Sequence, residues 1–294
     1  TRMNSVQIST NFIDLNYADD LHENLKDYPD VNIISGKYED TIVDLLSDKN
    51  GCNVFLYIDP YGIKALQCSL FDNFAMGRFN SIELLINMNS FGFVREACHA
   101  FGTTYKDVSV FDDLIEYDST KMDASEKSIA ELDEIAGGDY WQPIIQDYKK
   151  NNIDGYEAES LFAEQYCNRL KLSYSYVLNM PLRIRKGQRP KYRMIHATNH
   201  RDGCLLMVDN ICNRWQALQE IQTCGQLTLW EENCENQIVD DEDIEKKTIE
   251  HFSQYKNYIS LYETLATFFI KHGAICSTSI VKGIIKKLEK ENRI

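Results

Sequence analysis

The sequence predicts an α/β protein: a mostly parallel sheet covered by helices, with a helical insertion and a helical C-terminal segment. Three observations carry this expectation. In the first third of the chain, short apolar runs alternate with helical stretches of roughly 10–15 residues, the pattern of βα units. Two β-rich runs then flank Lys186-Gly187-Gln188, a hairpin signal. Near the end, Ile280, Val281, Ile284, Ile285 and Leu288 recur at helical spacing with lysines opposite.

The elements follow in order. Phe12 to Asn16 reads as a strand end, followed by a helical stretch to about Asp27. Val31 to Ile34 is a short strand closed by Ser35-Gly36, and Tyr38 to Ser47 has helical spacing. Val54 to Ile58 is an unbroken apolar strand stopped by Asp59-Pro60-Tyr61-Gly62. Ile82 to Met88 is another strand, and Phe91 to Phe101 is helical. Unbroken apolar strands of this kind are expected to be buried on both faces. From about residue 103 to 170 polar helices with a Gly137-Gly138 break indicate an insertion or cap. Tyr174 to Leu182 and Tyr192 to Thr198 form the hairpin, and Cys204 to Leu218 returns to helix. Alternating βα units that end in an antiparallel hairpin resemble the Rossmann-like sheet of class I S-adenosylmethionine-dependent methyltransferases. The expected organisation is one such domain over residues 1–225, an acidic linker over 226–247 and a C-terminal segment over 248–294. In that segment Tyr258 to Lys271 is an amphipathic helix ending at His272-Gly273, and Ser277-Thr278 can cap the next. The pair resembles the helical part of a winged-helix module, the alternative being a helical hairpin packed on the main domain.

Composition narrows the function classes. The 294 residues are 44% hydrophobic and 26% charged, ordinary for a globular chain, and no run approaches the ~18 apolar residues that cross a bilayer. No membrane association or signal peptide is expected. With 31 basic and 45 acidic side chains the net charge is −14, so nucleic acid would have to be met through a local basic patch. Pro181 to Arg201 supplies one, with Arg183, Arg185, Lys186, Arg189, Lys191, Arg193 and Arg201 and no acid; Lys282, Lys286, Lys287, Lys290 and Arg293 make a second. A solvated surface is the plainer reading of either. Nine dispersed cysteines without a C-x-x-C pair read as free thiols in a reducing cytoplasm.

Asp59-Pro60-Tyr61-Gly62 is the leading chemical candidate. A carboxylate at the end of a buried strand sits at the rim where ligands of open α/β sheets bind. Together with the preceding carbonyl it can accept hydrogen bonds from an exocyclic amine, whose delocalised lone pair needs such orientation, while the Tyr61 ring stacks on a base. The alternative is a strand-ending turn. Asp14, with Asn16, stands where an acid can hold ribose hydroxyls, and Gly36-Lys37 falls at the next strand end. Asn87, Asn89 and Arg95 follow a further strand; Arg95 suits a phosphate or carboxylate, or an ion pair with Glu96. His196 and His200 do not read as a metal site, because their spacing suits zinc only on a helix. Tyr140-Trp141 reads as core in preference to a substrate contact. A nuclease would need a carboxylate cluster with a lysine on one strand edge, and the sequence offers none.

The Asp59 turn resembles the D-P-P-Y and D-P-F-G motifs of amino-methyltransferases. Several blocks together are similar to one family: VFLYIDPYGIKAL over Val54–Leu66, ELLINMNSFGFVR over Glu83–Arg95, YCNRLKL over Tyr166–Leu172 and YRMIHATNHRDGCLLM over Tyr192–Met207 resemble the three-Cys-motif partner protein (TcmP) family, as does the tail from His272 to Ile294. The resemblance implies S-adenosylmethionine as cofactor and a protein partner, a three-cysteine protein similar to radical S-adenosylmethionine enzymes, in bacterial mobile or defence-like loci. It also implies a glycine-rich F-A-G-x-G turn ahead of the Asp14 strand, which Thr1 to Thr10 do not contain, so residues upstream are expected to supply it. The expected activity is methylation of an exocyclic amine on a nucleic-acid base, with both basic patches meeting the phosphates. The rival expectation is a non-catalytic platform for the cysteine-rich partner.

Overall fold

The computed structural model describes residues 7–60, 62–106, 128–182, 192–223, 241–255, 257 and 259–291. The architecture is mixed α/β. It separates into two units, Thr1–Cys52 with Gly77–Asn80, and Asn53–Met76 with Ser81–Ile294. Each unit carries its own sheet. The division falls inside the stretch expected as a single domain.

The first unit is a parallel βα repeat: β1 (Thr10–Asp14), α1 (Ala18–Asn24), β2 (Val31–Ser35) and α2 (Tyr38–Ser47). β1 and β2 run from Thr10↔Val31 to Asp14↔Ser35, so both strands end at the same edge. Ile42 and Leu46, one turn apart, form the buried stripe of α2. Gly77–Asn80 is tied in by the bonds from Gly51 N to Arg78 O and from Asn80 N to Cys52 O, both 2.8 Å. Gly51 makes this return at φ +71°, a conformation that favours glycine.

The second unit holds β3 (Asn53–Ile58), α3 (Cys68–Ala75), β4 (Ser81–Met88), α4 (Ser90–Ala100), α5 (Ile129–Ala136), α6 (Trp141–Lys149) and α7 (Gly155–Leu170). The hairpin strands β5 (Tyr176–Leu182) and β6 (Tyr192–Thr198) follow, then α8 (Arg201–Thr223), α9 (Asp241–Phe252), α10 (Leu261–His272) and α11 (Thr278–Lys290). The sheet order is β3-β4-β6-β5. β3 and β4 are parallel, and the hairpin joins antiparallel through β6.

The two-residue period of β4 divides the core. Ile82, Leu84, Ile86 and Met88 are buried on one face, level with Ala197 and Ile195 of β6. The opposite face carries Leu85 and, from β5, Tyr176, Leu178 and Met180. It packs against Val208 of α8, Leu265, Phe268 and Phe269 of α10, and Val281 of α11. The C-terminal helices therefore share a core with the hairpin. Residues 241–247, expected in the linker, belong to α9, because Ile244 and Thr248 are buried.

One further expectation changes. Coverage of β3 on both faces does not hold, since Phe55 and Tyr57 are each 56% exposed. An unbroken apolar run shows that both faces are apolar, and coverage is decided by what packs there. The helices expected as an insertion or cap pack into the core: Trp141 is fully buried, edge-on to Phe93 at 5.7 Å and Phe101 at 5.6 Å, and Phe93 stacks on Phe162 of α7 at 4.0 Å. α5 opens with a Ser128–Glu131 capping box and ends at Gly137 with φ +70°. A Cβ there would lie 2.7 Å from that of Cys68, so backbone shape and the α3 contact both favour glycine. α3 itself has no counterpart in the sequence reading; Phe71 and Phe74 bury it.

Two predictions follow from the core. Burial lowers the pKa of His251 and of His272, whose rings lie 6.1 Å apart, with Lys271 adding repulsion to each. Both take up protons on unfolding. Their contribution to stability is therefore complete above the ordinary histidine pKa near 6.5 and is lost as pH falls below it, by up to about 1.4 kcal/mol per pH unit for each. His272→Phe, which keeps the ring beside Phe268, should flatten the pH dependence of urea unfolding between about pH 7 and 5. Burial also pushes the thiols of Cys68, Cys98, Cys167, Cys204 and Cys276 up to about 12 and Cys212 to about 11, whereas Cys52 is exposed. Of these seven, iodoacetamide should modify Cys52 first in the native protein, read by peptide mass spectrometry.

Candidate functional site

Parallel pairing brings the ends of β3 and β4 to one edge, with Ile58 opposite Ile86. One residue beyond each, Asp59 and Asn87 meet: Asn87 Nδ2 donates to Asp59 Oδ1 at 2.8 Å. The Tyr57 hydroxyl donates to Asp59 Oδ2 at 3.4 Å. Tyr57, Asp59 and Asn87 share the sheet face because side chains repeat every two residues. Burial, then the Asp59 charge, raises the Tyr57 phenol, so it remains a donor at neutral pH. Asn87 Oδ1 is buried without a hydrogen-bond partner. The edge thus holds an exposed carboxylate, held by the Asn87 amide, as an acceptor for an incoming N–H donor, while the Asn87 oxygen itself is buried. Asn87 was visible in the sequence, but its link to Asp59 is not; only the register of two parallel strands makes it. Pro60 follows directly and offers no competing N–H donor. Tyr61 lies outside the described residues.

In the first unit Asp14 Oδ1 accepts from the backbone N–H groups of Asn16 at 2.8 Å and Tyr17 at 2.7 Å, an Asx-type turn that opens α1. Gly36 N donates to Asp14 O at 3.2 Å, so Asp14 and Gly36 sit together at the end of the parallel pair. The Asn16 side chain is exposed, and Lys37, also exposed, precedes the first turn of α2.

The other candidates are mostly occupied. Arg95 is half-buried and paired with Glu96 at 3.4 Å. Asn89 caps α4 by accepting from Gly92 N at 2.9 Å, and a Cβ on Gly92 would press to 2.7 Å on that side chain. Of the basic hairpin, Arg183, Arg185, Lys186, Arg189 and Lys191 lie outside the described residues. Arg193, expected to meet phosphate, instead points inward. Its Nε and Nη2 reach the two oxygens of buried Glu159 at 2.5 and 2.8 Å, and Ser90 Oγ also donates to that carboxylate. The cause is the pleat: Arg193 pairs with Met88, on the face that looks into the core. In the second basic patch Lys282 lies over the Tyr262 ring at 4.6 Å and Lys287 pairs with Glu245.

The ATNH-x-x-G block folds as a structural corner. Asn199 Oδ1 accepts from Ser175 N at 2.7 Å and Asn199 Nδ2 donates to Ser173 O, locking the start of β5 to the end of β6. His196, buried, bonds Glu83 at 3.0 Å. Gly203 lies against that carboxylate, where a Cβ would come within 2.7 Å of Glu83 Oε1. Among the described residues no group of three His, Cys, Asp or Glu side chains converges as a metal site. No described helix is long and apolar enough to cross a membrane.

Removing one partner of a buried ion pair strands the other, so Arg193→Ala should lower unfolding stability by about 3–5 kcal/mol. The double variant Glu159→Met with Arg193→Met should recover most of that loss in the same urea titration. Comparison of the chain with family models, curated proteins and solved structures finds no match.

Proposed function

We propose that this protein is an S-adenosylmethionine-dependent methyltransferase acting on an exocyclic amine, with a nucleic-acid base as the substrate class. The observation that carries the reading is the Asp59–Asn87 pair at the shared end of β3 and β4. The exposed carboxylate, held in place by the Asn87 amide, accepts from an amino group and orients it, leaving the nitrogen lone pair directed at a methyl donor. The carboxylate also stabilises the positive charge that grows on nitrogen as the methyl group transfers. Sheet order supports the reading. In the second unit a parallel pair is continued by an antiparallel hairpin whose last strand lies inside, the arrangement of Rossmann-like class I methyltransferases. In the first unit Asp14 ends the first strand of a parallel pair, a suitable place to hold ribose hydroxyls, with Asn16, Gly36 and Lys37 around it.

A second reading has its own observation. β3 is an edge strand of its sheet and exposes Phe55 and Tyr57 on one face. Such an edge suits a protein partner of the cysteine-rich kind, with the fold acting as a platform.

Calorimetric titration with S-adenosylmethionine and S-adenosylhomocysteine separates the two. The enzyme reading expects micromolar binding that Asp14→Ala removes. It further expects Asp59→Ala to keep that binding but lower methyl transfer to a single-stranded oligonucleotide by at least about a hundredfold. Absence of binding by folded protein would reject the enzyme reading. Phe55→Asp with Tyr57→Asp should then abolish capture of the cysteine-rich partner.

A further inference from the structure

A cleft of about 360 Å³ opens on the sheet face that carries Asn87, at the end of β4 where Asn87 pairs with Met194. Its floor is Leu85, Met180 and Met194 from three neighbouring strands, and its wall is Met207, Ile211 and Trp215 from α8. Positions 207, 211 and 215 repeat every four residues, so one stripe of α8 faces the sheet. The same turns of the helix carry Asn210 and Arg214 at the exposed rim. Among the described residues Arg214 has no carboxylate, hydroxyl or carbonyl partner. Of the other acids on α8, Asp209 accepts from Thr278 N and Oγ1, both at 2.8 Å, and Asp202 lies at the start of the helix, while the Glu220 side chain lies outside the described residues.

We infer that this cleft binds an aromatic monoanion, a planar apolar ring system carrying one carboxylate or similar acid group. Charge complementarity selects the acid: in a chain of net charge −14, a guanidinium without a partner among the described residues stands at the mouth of an otherwise apolar cleft and complements a single anionic group. Asn210 adds an amide donor beside it. The lining selects the body. Thioethers pack against ring edges and adapt to irregular outlines, and an indole presents a flat face to a planar ligand. The volume falls within the range of small-molecule pockets, roughly 300–1,000 Å³. The inference goes beyond amine methylation and does not rest on it, because binding is read without any methyl donor.

The test is calorimetric titration of the whole chain with three probes, 2-naphthoate, 2-naphthalenemethanol and decanoate. The expected result is saturable one-to-one binding of 2-naphthoate, with quenching of fluorescence that Trp215→Phe removes. Arg214→Gln should weaken 2-naphthoate at least about tenfold and leave the neutral alcohol unchanged, since a charge-assisted contact is lost. Ile211→Trp, which fills the cleft, should abolish binding of all probes while the protein keeps its cooperative unfolding. No saturable binding of 2-naphthoate, or equal binding by parent and Arg214→Gln, overturns the inference. Decanoate binding as tightly as 2-naphthoate overturns the planar part and identifies a site for aliphatic acids. Loss of methyl transfer with naphthoate binding intact would reject only the amine-methylation reading, and the converse result would reject only this one.

Discussion

The Glu159 carboxylate joins three elements that are far apart in sequence. It receives two bonds from Arg193 of β6 and one from Ser90 at the start of α4, while itself sitting on α7. A buried ion pair is tolerated only when the charges meet with good geometry and the remaining lone pairs are used, and here the serine supplies the additional donor. The consequence reaches the whole second sheet. Side chains of a strand alternate, so fixing Arg193 inward fixes Met194 and His196 on the opposite face. Met194 then stands beside Asn87 and Met180, and His196 beside Leu85 and Leu178. A one-residue slip would bury neither charge properly and would exchange the two faces.

The two ends of that register serve different purposes. Toward the end of β4 the face holds Asn87, Asp59 and the methionine cleft, where polar and soft apolar groups remain open to solvent. Toward the end of β6 it holds the Glu83–His196 pair, Gly203 and the Asn199 corner, where the Asn199 amide accepts from Ser175 and donates to Ser173, anchoring β5. Both stretches look equally distinctive as motifs. Each leaves one buried atom without a partner, Asn87 Oδ1 in the first and His196 Nδ1 in the second, but only the first lies beside an exposed carboxylate.

The chain lays down its helices and strands with plain local signals. Tyr38–Ser47 has the same limits in the sequence pattern and in the structure, since its apolar residues repeat at helical spacing and polar residues bound it. β4 and β6 are marked by unbroken apolar or alternating runs, and β5 pairs antiparallel with β6 as the hairpin signal requires, the Lys186-Gly187 turn itself lying outside the described residues. The Asp59 position at a strand end was legible for the same reason. What the pattern could not give was pairing. Arg193 reads as one more cation in a basic run, and Phe55 and Tyr57 read as core, because charge and hydropathy are properties of single residues whereas exposure belongs to the neighbours.

The sequence by itself determined the element types, the α/β class and the placement of an acid at the end of an apolar strand, because these depend on residues close together along the chain. Tertiary structure alone decided that Asp59 meets Asn87, that Arg193 is spent on Glu159 and that three methionines and a tryptophan line a cleft with Arg214 at its rim. Each of these depends on strand register and helix packing between segments tens of residues apart. Such contacts form only where the folded core compensates for the entropy of bringing the segments together.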